Sequence, residues 1–289
     1  MNIKNTLLLL KQFGFSDKTL ETFYKYEDEK SIMKSIFDKN YAFYNKYFDS
    51  YTKKEIELSE DVRVLIKFSE EFKEKMREYK RKGIKVFFKF DQDYPEHIFP
   101  PDKKPLFLYC YGNVDLLNSS LKKAAIIGTR DSTEKGENQT RKYVRQYINE
   151  GWATVSGLAK GIDTIVHRET IDSKGYTIAV LPTSFEKIYP AENKSLADEI
   201  VENKGLLITR LGPFENTFKS HFLERNSFVA KISDDILIIE ASIKSGTLNT
   251  VRQGYEQNKA IYYDPSLLND DVINYIKKFD AKEFFKREG

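Results

Sequence analysis

Three glycine-bearing segments gather the residues of this chain best suited to chemistry. The first reads Ile127-Gly128-Thr129-Arg130-Asp131-Ser132. Glycine permits a tight turn there, and the open N–H groups of a following helix attract an anion. Arg130 adds a planar fork suited to phosphate, unless it pairs with Asp131 instead. The three glycines of the dinucleotide fingerprint G-x-G-x-x-G are missing. The second segment is Ser156-Gly157-Leu158-Ala159-Lys160-Gly161-Ile162-Asp163. Gly157 and Gly161 would let backbone approach a ligand, with Ser156 supplying a hydroxyl and Lys160 a charge. Asp163 is placed to cap the helix it introduces, and His167 one turn later reads as a packed histidine. The third segment, Glu240 to Thr250, carries Ser245-Gly246-Thr247 at a helix start, either a phosphate cradle or a plain N-cap. Just before it, Lys219, Phe222, Arg225 and Asn226 interleave charge with aromatics, as a stacked base beside a phosphate requires. Phe218 and Phe222 at i,i+4 would equally suit a core helix.

Other chemistries have little material. The chain holds a single cysteine, Cys110, which excludes an internal disulfide framework and a cysteine-based zinc cluster, and its three histidines, His97, His167 and His221, form no local pair for a histidine metal site. No metal and no cofactor is expected. In 289 residues, 47 Lys/Arg against 44 Asp/Glu give a net charge of only +3. Residues 121–168, however, hold nine Lys/Arg against five Asp/Glu, so the positive field is local. The apolar run Leu7–Leu10 ends at Lys11, too short for a signal segment or a membrane span. The expectation is a soluble cytoplasmic protein.

The elements that must position these loops follow from glycine, proline and periodicity. No glycine occurs between Gly14 and Gly83, and no proline before Pro95, which predicts a helical domain over 1–82. Val62, Leu65, Ile66, Phe72, Met76 and Tyr79 mark a helix over 61–82. The aromatics Phe37, Tyr41, Tyr44, Tyr47, Phe48 and Tyr51 are expected in that domain's core. Residues 83–120 read as a connector with strands at 84–90 and 106–111. From 121 to 265 short apolar runs alternate with helical patterns. Strands are predicted at 124–127, 152–155, 177–181, 206–208, 236–239 and 260–263. Helices are predicted at 134–149, 162–172, 193–203, 219–231 and 247–257, and residues 266–289 read as a helical tail. Such alternation is an α/β pattern with a parallel sheet, and ligands bind beyond the carboxyl ends of its strands. All three loops sit there.

Taken in order, these motifs resemble the DNA-processing protein A (DprA/Smf) family. The matching residues are Asp91-Gln-Asp-Tyr94-Pro95, Pro105-Leu-Phe-Leu-Tyr109 with Gly112, and Ile126-Ile-Gly-Thr-Arg130. They continue with Ser156 to Asp163 and His167, Thr177-Ile-Ala-Val-Leu181, Tyr189-Pro190 with Asn193, Arg225-Asn226, and Ser245-Gly-Thr247 with Thr250. The resemblance covers roughly residues 84–265 and rests most on the specific block Ser156–Asp163. It implies a Rossmann-like sheet with helices on both faces, preceded by a small helical domain. It also implies single-stranded DNA binding by a homodimer, acting in DNA processing and recombination during natural transformation. There the protein would protect incoming strands and help load the RecA recombinase.

The chain departs from the family pattern at three places. Thr209-Arg210 stands where a glutamate is usual, Ser227 replaces the second arginine of Arg-Asn-Arg, and no winged-helix domain follows Pro265. The charge of Arg210 is expected to offset the one missing at 227. An enzymatic alternative is a nucleotide phosphoribohydrolase of the lysine-decarboxylase-like (LOG) class, which carries Pro-Gly-Gly-x-Gly-Thr-x-x-Glu at the third loop. Here that glutamate is Thr250, so the acid or base for glycosidic cleavage is missing. A nucleotide-sensing domain is the third reading. The expectation is a binding protein, not an enzyme.

Overall fold

A computed structural model describes residues 2–38, 52–99, 104–118 and 120–286. The chain falls into two compact units. The first comprises residues 1–94, 105–109 and 211–216, and the second the remainder.

In the first unit the helices are α1 (Ile3–Phe13), α2 (Asp17–Tyr26), α3 (Glu29–Phe37), α4 (Lys53–Ser59) and α5 (Val62–Arg81). Polar caps start them: Asn2, Ser16, Asp28, Thr52 and Asp61 each accept a bond from a first-turn N–H. α5 ends at Arg81, within one residue of the predicted end and two before Gly83, whose φ of +74° suits glycine. Leu65, Phe72 and Tyr79, spaced by seven, face the core, while Ile66 is 48% exposed. The leucine run 7–10 is buried core. Phe37, expected inside, is instead 43% exposed because it closes the last turn of α3. Tyr41, Tyr44, Tyr47, Phe48 and Tyr51 lie outside the described residues. Gln12 is a buried amide with each end matched. Its Nε2 donates to the Tyr109 hydroxyl (3.0 Å) and to Glu215 Oε2 (2.8 Å), and its Oε1 accepts from Phe214 N–H (3.1 Å). That network fixes the segment 211–216 within the first unit. Strand β1 (Lys85–Phe88) also belongs here, and Tyr94 donates to the Pro105 carbonyl at 2.8 Å.

After β2 (Phe107–Gly112) and the short α6 (Asp115–Asn118), the second unit alternates strand and helix. Its strands are β3 (Lys123–Ile127), β4 (Ala153–Ser156), β5 (Thr177–Val180), β6 (Leu206–Thr209), β7 (Asp235–Ile238) and β8 (Ala260–Tyr263). Between them run α7 (Glu134–Asn149), α8 (Ile162–Asp172), α9 (Lys194–Glu202), α10 (Lys219–Ile232) and α11 (Thr247–Glu256). Neighbouring strands pair in parallel in the order β6-β5-β4-β3-β7-β8. Each predicted strand and helix of 121–265 is present, within about two residues at each end. Alternate residues on one strand show that both faces are covered. Leu237 packs in a cluster with Val144 of α7 and Val166 of α8. The adjacent Ile236 meets Gly254 of α11. This is a Rossmann-like sheet.

The chain runs outward one way from β3 to β6, then returns to place β7 on the other side of β3. The reversal opens a crevice between the carboxyl ends of β3 and β7, the usual ligand position in such sheets. The tail departs from the helical expectation. After α12 (Asp270–Ile276) the chain forms β9 (Lys282–Glu283), parallel to β8. Phe284 then buries against Tyr143, Tyr147 and Tyr262, a reason for extended chain that helical periodicity does not reveal. Among the described residues no helix is long and apolar enough to cross a membrane. Cys110 is buried.

Candidate functional site

The loops after β3, β4 and β7, together with α10, enclose a cavity of about 430 Å³ at the crevice. Of the residues picked from sequence, Gly128, Thr129, Arg130, Gly157, Phe222, Arg225, Asn226, Ser245, Gly246 and Thr247 line it. The loops are tied to one another. Ile239 N–H donates to the Ile127 carbonyl (3.0 Å), and the Thr247 hydroxyl to the Gly128 carbonyl (3.0 Å). Asn226 Nδ2 reaches the Gly246 carbonyl at 3.2 Å. Glu240, which was given no role from sequence, accepts from both the N–H (3.0 Å) and the hydroxyl (2.6 Å) of Thr133. One buried carboxylate thereby fastens the end of β7 to the cap of α7.

Four of the picked residues lie off the cavity. Ser156 is fully buried and its hydroxyl donates to the Ile126 carbonyl at 2.9 Å, so it joins β3 to β4 and offers nothing to a ligand. Lys160 is exposed and pairs with Glu192 at 2.6 Å. Gly161, at φ +70°, is needed for a close approach: a Cβ there would meet the Thr129 carbonyl oxygen at 2.5 Å. Lys219 is exposed at the first position of α10.

The centre of the site is Arg225. It is only 8% exposed, lines the cavity, and its Nη1 lies 3.6 Å from Asp163 Oδ2. Gly157 makes room for it, since a Cβ at 157 would coincide with the guanidinium. Its Nε is buried without a hydrogen-bond partner among the described residues, and so is the Ser245 hydroxyl oxygen. Buried donors of this kind are rarely left unmatched. Burial and the nearby Arg130 charge press the Arg225 guanidinium below the ordinary arginine pKa, against the pull of Asp163. An entering anion would relieve both.

Asp163 does not cap α8 as expected. Gly161 occupies the N-cap, and Asp163 Oδ2 accepts from Gly157 N–H (3.1 Å) and Ala159 N–H (3.2 Å). It thus closes the loop and holds Arg225. Asn193 ties the same loop to α9, donating to the carbonyls of Leu158 (3.0 Å) and Ala159 (3.3 Å). Arg130 is exposed, lines the cavity and forms no ion pair with Asp131 or with any other of the described residues. Phe218 is 61% exposed, which rules out the Phe218–Phe222 core pair. Phe222 instead meets Tyr189 edge-on at 5.6 Å and presents its ring to the cavity. His167 is packed, as read from sequence. Its Nδ1 bonds the Thr177 hydroxyl at 2.7 Å, and burial, aided by the charge of Arg225, pushes its pKa down to about 3.

The expected charge compensation fails. Arg210 is held in an ion pair with Glu224 of α10, and Ser227 is a buried hydroxyl. Neither position lines the cavity. Among the described residues no group of His, Cys, Asp and Glu is arranged to hold a metal ion.

The model of the DNA recombination-mediator protein A family matches residues 85–279, which contain every loop of the cavity. DNA processing protein DprA of Bacillus subtilis is 33% identical over 195 residues, covering 66% of this chain and 64% of that protein. The chain therefore spans less than two thirds of that relative. Among solved structures, DNA processing protein A of Streptococcus pneumoniae aligns over 98% of this chain and 95% of its own, at 26% identity and a TM-score of 0.65. DNA processing protein A of Helicobacter pylori, which has a described single-stranded DNA binding mode, covers 70% of this chain and 91% of its own. Its identity is 30% and its TM-score 0.61. With the matched segment exceeding half the sequence, the chain belongs to the DNA recombination-mediator protein A family.

Proposed function

We propose that this protein binds single-stranded DNA at the cavity, without turnover, and acts in DNA processing and recombination. The observation that carries the reading is Arg225, a buried residue that lines the cavity beside the half-buried Phe222 and whose Nε has no hydrogen-bond partner among the described residues. A phosphate supplies the acceptor, and Phe222 with Tyr189 offers a face for the adjoining base. Thr250 lines the cavity where a phosphoribohydrolase of the related class would present glutamate, which supports binding over catalysis. On the family likeness, we extend the proposal to a cytoplasmic homodimer that protects strands entering during natural transformation and passes them to the RecA recombinase.

The test is a mobility shift with a labelled single strand, competed by duplex and by mononucleotides at matched salt. Single strands should compete best, and equal competition by duplex would refute the preference. Release of free base from purine monophosphates above background would refute the absence of turnover. Replacing Arg130 by alanine should flatten the dependence of log K on log salt by about 0.7, the loss of one phosphate contact. Lys160→Ala should change it less, because Lys160 already has Glu192. An unchanged slope in Arg130→Ala would take the phosphate away from that residue. Replacing Phe222 by alanine should weaken binding by about 1–3 kcal/mol if its ring stacks a base. A lowered melting temperature with unchanged affinity would make Phe222 a packing residue only.

A further inference from the structure

We infer that Arg210 is a positioning residue: through Glu224 it holds the N-terminal half of α10, where Phe222 and Arg225 line the cavity, and it gives no charge to the strand. The inference rests on the proposed single-strand site and assigns how one of its walls is kept in place.

α10 is an uneven helix. From Phe228 to Ala230 it is buried, but Phe218 and Leu223 are 61% and 57% exposed. The exposed half nevertheless carries Phe222 and Leu223, which line the cavity. Beside the ties of Arg225 to Asp163 and of Asn226 to Gly246, three contacts act nearer its start. Phe218 N–H donates to His221 Nδ1 at 3.1 Å, Phe222 meets Tyr189 edge-on, and Arg210 pairs with Glu224. The last joins α10 by charge to the end of a strand, because Arg210 directly follows β6.

The placement of this pair in the chain is informative. After Arg210 the chain leaves the second unit, and it returns at Thr217, just before α10. The ion pair therefore ties the point of departure to the second turn of the returning helix. Glu224 sits between two lining residues, Leu223 and Arg225, so a change in the path of α10 at 224 moves both. A guanidinium already facing a carboxylate is also a poor phosphate ligand, since the strand would have to displace Glu224 first.

The two roles predict opposite signs at Glu224. If Arg210 bound phosphate, Glu224 would be a competing acid, and Glu224→Ala would tighten strand binding. As a positioning pair, Arg210→Ala and Glu224→Ala should each weaken it by about fivefold, a typical coupling between contacting residues. The double variant should be no weaker than either single one, and the reversed pair R210E/E224R should recover most of the affinity. The salt slope should stay at the wild-type value throughout. The experiment is fluorescence anisotropy of a labelled oligonucleotide at several salt concentrations, with circular dichroism melting of each variant. Arg210→Lys, which keeps the charge, replaces Arg210→Ala if the latter does not fold, and should bind nearly as wild type. A slope flattened by about 0.7 in Arg210→Ala, tightening in Glu224→Ala, or unchanged affinity in both would overturn the inference while leaving the strand site intact. Absence of strand binding by the wild-type chain would remove the site, and this inference with it.

Discussion

Gly157→Ala should reduce single-strand affinity by about a hundredfold while leaving the protein folded. The added methyl group would occupy the position of the Arg225 guanidinium, which must then swing away from Asp163. Because Arg225 lines the cavity, it has space to move, and the space it takes is the ligand's. Asp163 keeps its two backbone donors, so no bare charge is left inside. The cost to the fold is then that of overpacking, about 1–3 kcal/mol. Gly246→Ala is the contrast for stability. At that position the nearest atom to a Cβ is Asn226 Nδ2 at 3.7 Å, an ordinary contact, and the backbone is right-handed. Anisotropy titrations and thermal melts of the two variants decide the matter. Wild-type affinity in a folded Gly157→Ala protein would mean that Arg225 is not a strand ligand.

Acid should loosen the fold through His167. A free histidine titrates near 6.5, but this one is held neutral to about 3 by burial and by Arg225. Between those two values the unfolded chain binds a proton that the folded chain refuses. Stability from this group is therefore complete above pH 6.5 and falls as the pH drops, by up to about 1.4 kcal/mol per unit. From pH 6.5 to 5 the loss approaches about 2 kcal/mol. Urea unfolding at both pH values, on the wild type and on His167→Gln, isolates it. The variant should be less stable at neutral pH yet show a shallower loss on acidification. Equal slopes would assign the acid sensitivity to other groups.

The fold of the second unit was legible because its signals are local. Runs such as Ala124–Ile127 and Ile236–Ile239 are apolar on both faces, which marks buried parallel strands, and glycine or a polar cap punctuates each one. The cavity's membership was legible for a related reason, since strand-to-loop order alone places those segments on one sheet edge. What the side chains do there was not. Ser156 looks like a ligand group in a glycine loop and Asp163 like a helix cap, yet both satisfy nearby backbone. The match of Gly157 to Arg225 joins positions 68 residues apart, which no local pattern encodes. Arg210 was misread for the same reason, because its partner lies across the excursion of residues 211–216. β9 was hidden by its length, two residues being too few for alternation to register.

The bonds that Glu240, Thr247 and Ile239 make across the crevice bear on the thermodynamics of any complex formed there. They remove conformational freedom from the protein before a ligand arrives, so the loops have little entropy left to lose on binding. The ordering penalty falls on the flexible strand instead. Strands already extended and unstacked in solution should be the ones this rigid crevice captures most tightly.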